Sequence, residues 1–158
     1  MSPKGDAEGQ RTVVSNRRAR HDYEILERFE TGIVLTGSEV KSLRGGRGSL
    51  AEAFARVRDG EVWIEGMHIP PYEQAMDKRT YEPTRPRKLL LHRKEIERLI
   101  GKTAERGLSL VPLRIYFAHG IAKMELALGR GKRAFEKRHS IAEREHQREM
   151  QREAGRRR

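Results

Sequence analysis

Between residues 53 and 67 the chain carries its own pairing instructions. Two arms, 53–58 and 61–67, flank Asp59-Gly60, a dipeptide suited to the positive φ angles of a two-residue type I′ turn. Folding the arms about that turn sets Val57 against Val62 and Ala55 against Ile64 on one face. The other face then pairs Arg58 with Glu61 and Arg56 with Trp63. One register thus sorts apolar from polar residues, and a slip of one residue would invert both faces. Segments 110–117 and 121–128 repeat the device about His119-Gly120. There Val111, Leu113, Ile115 and Phe117 are set against Ala122, Met124, Leu126 and Leu128, while Tyr116 meets Lys123 and Arg114 meets Glu125 outside.

The remaining elements arrange themselves around these hairpins. Residues 23–36 read as a long strand with a bulge near Gly32, because Ile25, Phe29, Ile33, Val34 and Leu35 recur with mixed alternation. Ser38 is placed to cap a short helix over 39–44 that buries Val40 and Leu43 and stops at Gly45. Four of the six prolines fall in 70–86, which reads as a long loop of functional kind. Residues 88–92 then form a strand that buries its leucines, Leu90 among them. Ile96, Leu99, Ile100 and Thr103 follow at helical spacing, with Gly107 as the stop. About six strands and two or three helices in so short a span predict a mostly β fold, a small closed OB-like β-barrel. An open α+β sheet is the alternative.

Charge divides the chain differently. Residues 129–158 hold 11 Lys/Arg against 5 Asp/Glu, and residues 1–20 hold 5 against 2, out of a net charge of +11. The division expected is a disordered N-terminal arm over 1–15, an RNA-binding barrel over 16–130 and a basic tail over 131–158. If 137–156 turned helical, Arg144, Arg148, Arg152 and Arg156 would form one ladder and Glu145, Glu149 and Glu153 a second. With no apolar stripe to dock, the free tail is expected to be disordered and to fold on a phosphate-lined partner. Basic clusters also occur at Arg17/Arg18/Arg20 beside His21, at Arg44/Arg47, at Arg85/Arg87/Lys88 and at Lys132/Arg133/Lys137/Arg138. Arginine supplies most of the positive charge, which suits bidentate phosphate contacts and stacking on bases.

Catalytic and metal chemistry find little footing. The chain has no cysteine, hence no disulfide framework and no thiolate ligand or nucleophile. On one strand His21, Asp22 and Glu27 would not share a face, and no spaced histidine pair supports them as ligands. Gly101-Lys-Thr103 lacks the first glycine of a P-loop, and Gly46-Arg-Gly48 and Gly129-Arg-Gly131 do not open a helix after a strand of a βαβ unit. No enzyme activity, metal or cofactor is expected. The opening Met-Ser-Pro-Lys-Gly-Asp has no apolar leader, and no run approaches a membrane span, so a cytoplasmic monomer without membrane contact is the expectation. A ribosomal or RNA-chaperone protein with basic tails is the competing class, and a small nuclease the remote one.

Five motifs in fixed order narrow this further: Asn16-Arg-Arg-Ala-Arg-His-Asp-Tyr23, Gly37-Ser-Glu-Val-Lys-Ser-Leu-Arg44, Gly66-Met-His-Ile-Pro70, Arg87-Lys-Leu-Leu-Leu-His92, and Gly131-Lys-Arg133 followed by Lys137-Arg138. Over about residues 13–140 the chain resembles the small protein B, or SsrA-binding protein, family, partners of transfer-messenger RNA in bacterial ribosome rescue. The resemblance implies an OB-like barrel with a basic tail. It implies that Asn16, Glu30 and Leu90 bind the tRNA-like domain of that RNA, with Lys123 on the adjoining surface. Gly131, Lys132, Arg133, Lys137 and Arg138 would begin a tail that enters the empty messenger channel from the decoding centre and becomes helical there. Alanyl-tRNA synthetase and elongation factor Tu would be met only through the RNA. Two positions depart from the family: Glu136 replaces its usual aspartate, and Phe135 stands where polar aromatics are common. Because Asn16 precedes the strand at 23–36, little packing is expected to depend on it.

Overall fold

The computed structural model describes residues 8–74 and 80–156, without the side chains of 133–143 and 156. Seven strands and four helices follow one another among the described residues: β1 (Gln10–Ser15), α1 (Arg17–Asp22), β2 (Tyr23–Ile33), α2 (Gly37–Arg44), β3 (Phe54–Arg58), β4 (Glu61–Glu65), β5 (Arg87–Leu90), α3 (Arg93–Thr103), β6 (Leu108–Ala118), β7 (Ile121–Gly131) and α4 (Lys132–Arg156). The β3–β4 hairpin has the register its sequence prescribes, from Arg58 opposite Glu61 to Ala55 opposite Ile64. Asp59 at φ 52° and Gly60 at φ 74° form its turn, and His119 at φ 51° and Gly120 at φ 77° form that of β6–β7.

The second hairpin departs from its expected register halfway along. Tyr116 pairs with Lys123 and Arg114 with Glu125, but Leu113 bulges out, so that Pro112 pairs with Leu126 and Val111 with Ala127. The extra residue turns Val111 and Leu113 to the outer side, where they pack with Ala19 and Ala127 apart from the main core. A proline beside the bulge fits it, since Pro112 has no N–H to give to a ladder. β2 likewise bulges, between Ile25 and Glu27 and not near Gly32.

All pairings are antiparallel. They run from β6 through β3, β4, β5, β2 and β7, and β7 pairs again with β6, while β1 lies along the far half of β6. Inside lies a core that includes Phe29, Leu43, Ile64, Met67, Leu89, Leu99, Ile115, Met124 and Leu126. The disorder expected for 1–15 fails for its second part. Residues 10–15 form β1, with Val14 buried, while 1–7 lie outside the described residues. Thr12-Val13-Val14 is a short signal amid polar neighbours, and only its pairing partner more than 100 residues away stabilises it as a strand. The tail, Lys132–Arg156, forms one helix here, and the disorder expected of it when free is not shown. A helix satisfies its backbone internally, and nearly every residue there is a good helix former. Among the described residues no helix is long and apolar enough to cross a membrane.

The 70–86 segment, of which 75–79 lie outside the described residues, is tied down from beneath. α2 is capped by Thr36 and not by Ser38: Thr36 Oγ1 accepts from Glu39 N at 3.3 Å, and Glu39 Oε1 accepts from Thr36 N at 2.9 Å. The same Glu39 carboxylate is fully buried, as is Arg87, whose Nε donates to Glu39 Oε2 at 2.5 Å. Arg87 Nη1 donates to Met67 O at 2.7 Å and Nη2 to Pro83 O at 3.0 Å, and Arg85 also donates to Glu39. Arg87 is therefore no part of a nucleic-acid-facing cluster. Lys88 is engaged as well, with Glu61 at 2.9 Å.

Burial pushes the Glu39 carboxyl up. Hydrogen bonds from Arg85 and the Thr36 amide, and the charge of Arg87, outweigh it and hold the group below its ordinary value. A folded-state value below the unfolded one stabilises above the unfolded value and is lost as pH falls through the folded one. Arg87→Ala should destabilise the chain by roughly 3–5 kcal/mol by leaving a buried charge unpaired, whereas Glu39→Leu with Arg87→Met should recover most of the loss. Urea unfolding of the three proteins at neutral and acid pH checks both, and only wild type should weaken through loss of this pair on acidification.

Candidate nucleic-acid interface

Asn16 is the joint between β1 and α1, not a residue ahead of the first strand. Its Oδ1 accepts from Ala19 N at 3.3 Å, capping the helix. Its Nδ2 donates to Pro112 O at 2.8 Å and its backbone N to Leu113 O at 2.8 Å. One amide N–H and the amide oxygen are thus engaged within the fold, and packing does depend on Asn16. Ala19 is buried against Val111, Leu113 and Ala127, which seats α1 on the outer face of the β6–β7 pair. The other residues of the helix point away: Arg17, Arg18, Arg20 and His21 are exposed, with His21 Nδ1 3.1 Å from Asp22. Lys132 Nζ donates to Arg20 O at 3.1 Å and joins the start of α4 to this helix.

Alternate residues of one strand share a face, so Ala127 under α1, Glu125 and Lys123 form a line along β7. One rung of pairs crosses five strands at its far end: Thr12, Tyr116, Lys123, Gly32 and Leu90. The next outward rung holds Ser15, Arg114, Glu125 and Glu30. Leu90 is not the core residue its pattern suggested. Leu89 is 1% exposed and Leu90 51%, because β5 alternates and its inward position belongs to Leu89. Gly32 lets this happen, since a Cβ there would come within 3.3 Å of Leu90 Cβ.

Glu30 stands beside Leu90. Its Oε1 accepts from Tyr116 Oη at 2.5 Å and from Lys123 Nζ at 3.3 Å. The Tyr116 hydrogen bond, helped by Lys123 against partial burial, holds its carboxyl below the ordinary range. Glu30, Thr31, Leu90, Leu91, His92 and Lys123 line a shallow depression of ≈330 Å³. It offers an anion that stays ionised, a cation and an exposed leucine within one hollow. These are groups for a hydroxyl or amine donor, a phosphate and the face of a sugar or base.

The structure therefore brings Glu30, Leu90 and Lys123 together and sets Asn16, Arg17, Arg18, Arg20 and His21 on a helix over the same face. Arg44 lies elsewhere, at the β6–β7 turn, with Nη2 donating to Gly120 O at 3.3 Å and its guanidinium over the Phe117 ring. Gly131 ends β7, Lys132 opens α4, and Arg148 and Arg152 are exposed on that helix. The side chains of Arg133, Lys137 and Arg138 lie outside the described residues. Sequence reasoning passed over Tyr116 as part of the site, although its pairing with Lys123 was visible in the hairpin register.

Leu90→Ser should leave the urea midpoint within what a surface change costs, about 0.5 kcal/mol. It should weaken binding to a tRNA-like RNA by roughly tenfold or more, as loss of a leucine buried on complex formation predicts. Asn16→Ala should by contrast lower stability by about 1 kcal/mol through the lost cap. Gel shifts paired with unfolding curves separate the two.

A family model described as SmpB protein matches residues 13–156. SsrA-binding protein from Acidothermus cellulolyticus is 58% identical over 149 residues, covering 94% of this chain and 93% of that protein. Its counterpart in Desulforudis audaxviator is 56% identical over 147 residues, covering 93% and 95%. A solved structure described as "tmRNA-SmpB: a journey to the center of the bacterial ribosome" superposes with a TM-score of 0.63 at 55% identity, covering 75% of this chain and 82% of that one. With a family model running over nearly its whole length and relatives more than half identical across it, the chain belongs to the SmpB protein family.

Proposed function

We propose that this protein is a non-enzymatic RNA-binding adaptor of trans-translation. It binds the tRNA-like domain of transfer-messenger RNA and carries it to stalled ribosomes, where its tail probes the empty messenger channel. Membership of a family whose members are named for binding SsrA RNA supports the reading. The observation that carries it at the level of residues is the convergence of Glu30, Leu90 and Lys123 in one hollow. Three residues far apart in sequence are brought together there by the pairing of β2 with β5 and β7. The body is read as a closed OB-like barrel, a reading supported by the circuit of strand pairs that returns from β7 to β6. Alanyl-tRNA synthetase and elongation factor Tu meet the complex through the RNA, in the cytoplasm.

The tail is read as a conditional helix. Arg148, Arg152 and their described neighbours are exposed, so a body-independent helix gains little from packing and draws its stability from phosphates of the channel. Deleting 132–158 should leave affinity for the tRNA-like RNA within roughly two orders of magnitude of wild type. Arg148→Glu with Arg152→Glu should retain that affinity in gel shifts but abolish peptide tagging on stalled ribosomes. Gln147→Pro, which costs roughly 3 kcal/mol inside a helix, should do the same. Normal tagging by the proline variant would rule out a continuous helix as the working form.

A further inference from the structure

We propose that Tyr116 is a positioning residue of the RNA site, fixing one oxygen of the Glu30 carboxylate so that the other is presented to a single hydrogen-bond donor of the RNA. The proposal deepens the function read above and rests on it. Glu30 is a long side chain, 54% exposed, on an outer strand position. Left to itself it would sample several rotamers and lose that freedom on binding. Tyr116, on the contrary, is 2% exposed although it too faces outward. Its hydroxyl meets Glu30 Oε1 at 2.5 Å, and its ring is covered by the guanidinium of Arg114 at 4.1 Å.

Arg114 is itself held from three sides. Its Nε donates to Glu125 Oε2 at 2.8 Å, Nη1 to Thr12 Oγ1 at 2.9 Å and Nη2 to Gln10 Oε1 at 3.2 Å. Glu125 Oε1 in turn accepts from Arg28 at 3.0 Å. A continuous polar network thus runs from β1 to one oxygen of Glu30. Lys123 Nζ, at 3.3 Å, is the second donor to that same oxygen. Oε2 has no partner among the described residues, and Glu30 lines the same hollow as Leu90 and Lys123. A free oxygen on a fixed carboxylate suits one ribose 2′-hydroxyl or one base N–H, while Lys123 remains at hand for a phosphate. Nothing in packing alone requires the tyrosine hydroxyl, because a phenylalanine would fill the same space under Arg114.

The test is a double-mutant cycle on the full chain, with an in vitro transcript of the tRNA-like domain as probe. Y116F should weaken binding by about tenfold, the factor one net hydrogen bond carries, and should have no further effect in the E30A background, where no acceptor remains for the hydroxyl. Loss of equal size in both backgrounds would overturn the proposal, since Tyr116 would then act through the fold and not through Glu30. The Glu30 carboxyl, followed by NMR, should titrate higher in Y116F than in wild type. Loss of affinity on acidification should therefore begin at higher pH in the variant, a readout that a space-filling role leaves unmoved. An unchanged Glu30 titration would likewise overturn it. If E30A weakens binding and Y116F does not, the positioning role alone falls. If E30A binds as wild type, the assignment of the hollow to the RNA falls with it.

Discussion

A buried ion pair between Glu39 and Arg87 is the constraint on which the architecture around the candidate site depends. One carboxylate ends two separate problems: it completes the cap of α2 and neutralises a guanidinium that is fully enclosed. The guanidinium in turn collects the carbonyls of Met67 and Pro83, and Ser42 and Tyr81 add hydrogen bonds to Pro70 and Ile69. Helix α2, both ends of the 70–86 segment and the first residue of β5 are therefore fixed to one another. Because Arg87 points inward, alternation makes Leu89 inward and Leu90 outward. The exposed leucine of the candidate hollow is, in that sense, set by a charge three residues before it.

Where both partners of a contact lie within a dozen residues, the sequence spoke plainly. The β3–β4 register and the outer pairs of β6–β7 follow from a turn dipeptide and alternation, and they appear unchanged in the fold. The bulge at Leu113 did not announce itself, because Val111 and Leu113 are as apolar as a regular inward strand would require. What distinguishes them is a second apolar cluster, made by Ala19 from a distant helix. Leu90 misled for a related reason: Leu89-Leu90-Leu91 has no period, and only the pairing of β5 with β2 and β4 decides which leucine turns in.

Charge was the least legible property. Arg85, Arg87 and Lys88 look like any basic cluster, yet their partners Glu39 and Glu61 lie 27 to 48 residues away and are reached only through the fold. Asn16 shows the converse. Its position ahead of the strand at 23–36 suggested that little packing depends on it, whereas its amide accepts from Ala19 N and donates to Pro112 O.

The sheet order has a consequence for the order in which the protein is made. β1 and α1 leave the ribosome first, but β1 pairs only with β6 and α1 packs on β6 and β7, about 100 residues downstream. β2 waits in the same way for β5 and β7. Before β6 is made, only β3, β4 and β5 find partners next to them in sequence. The N-terminal arginines must remain undocked, and the hollow at Glu30 incomplete, until β7 has been synthesised. A chain cut short before residue 121 lacks β7, and with it Lys123 and the strand that pairs with Glu30 itself. Vectorial synthesis thus delays completion of the candidate interface to nearly the last moment of translation, so that it takes shape only on a finished body.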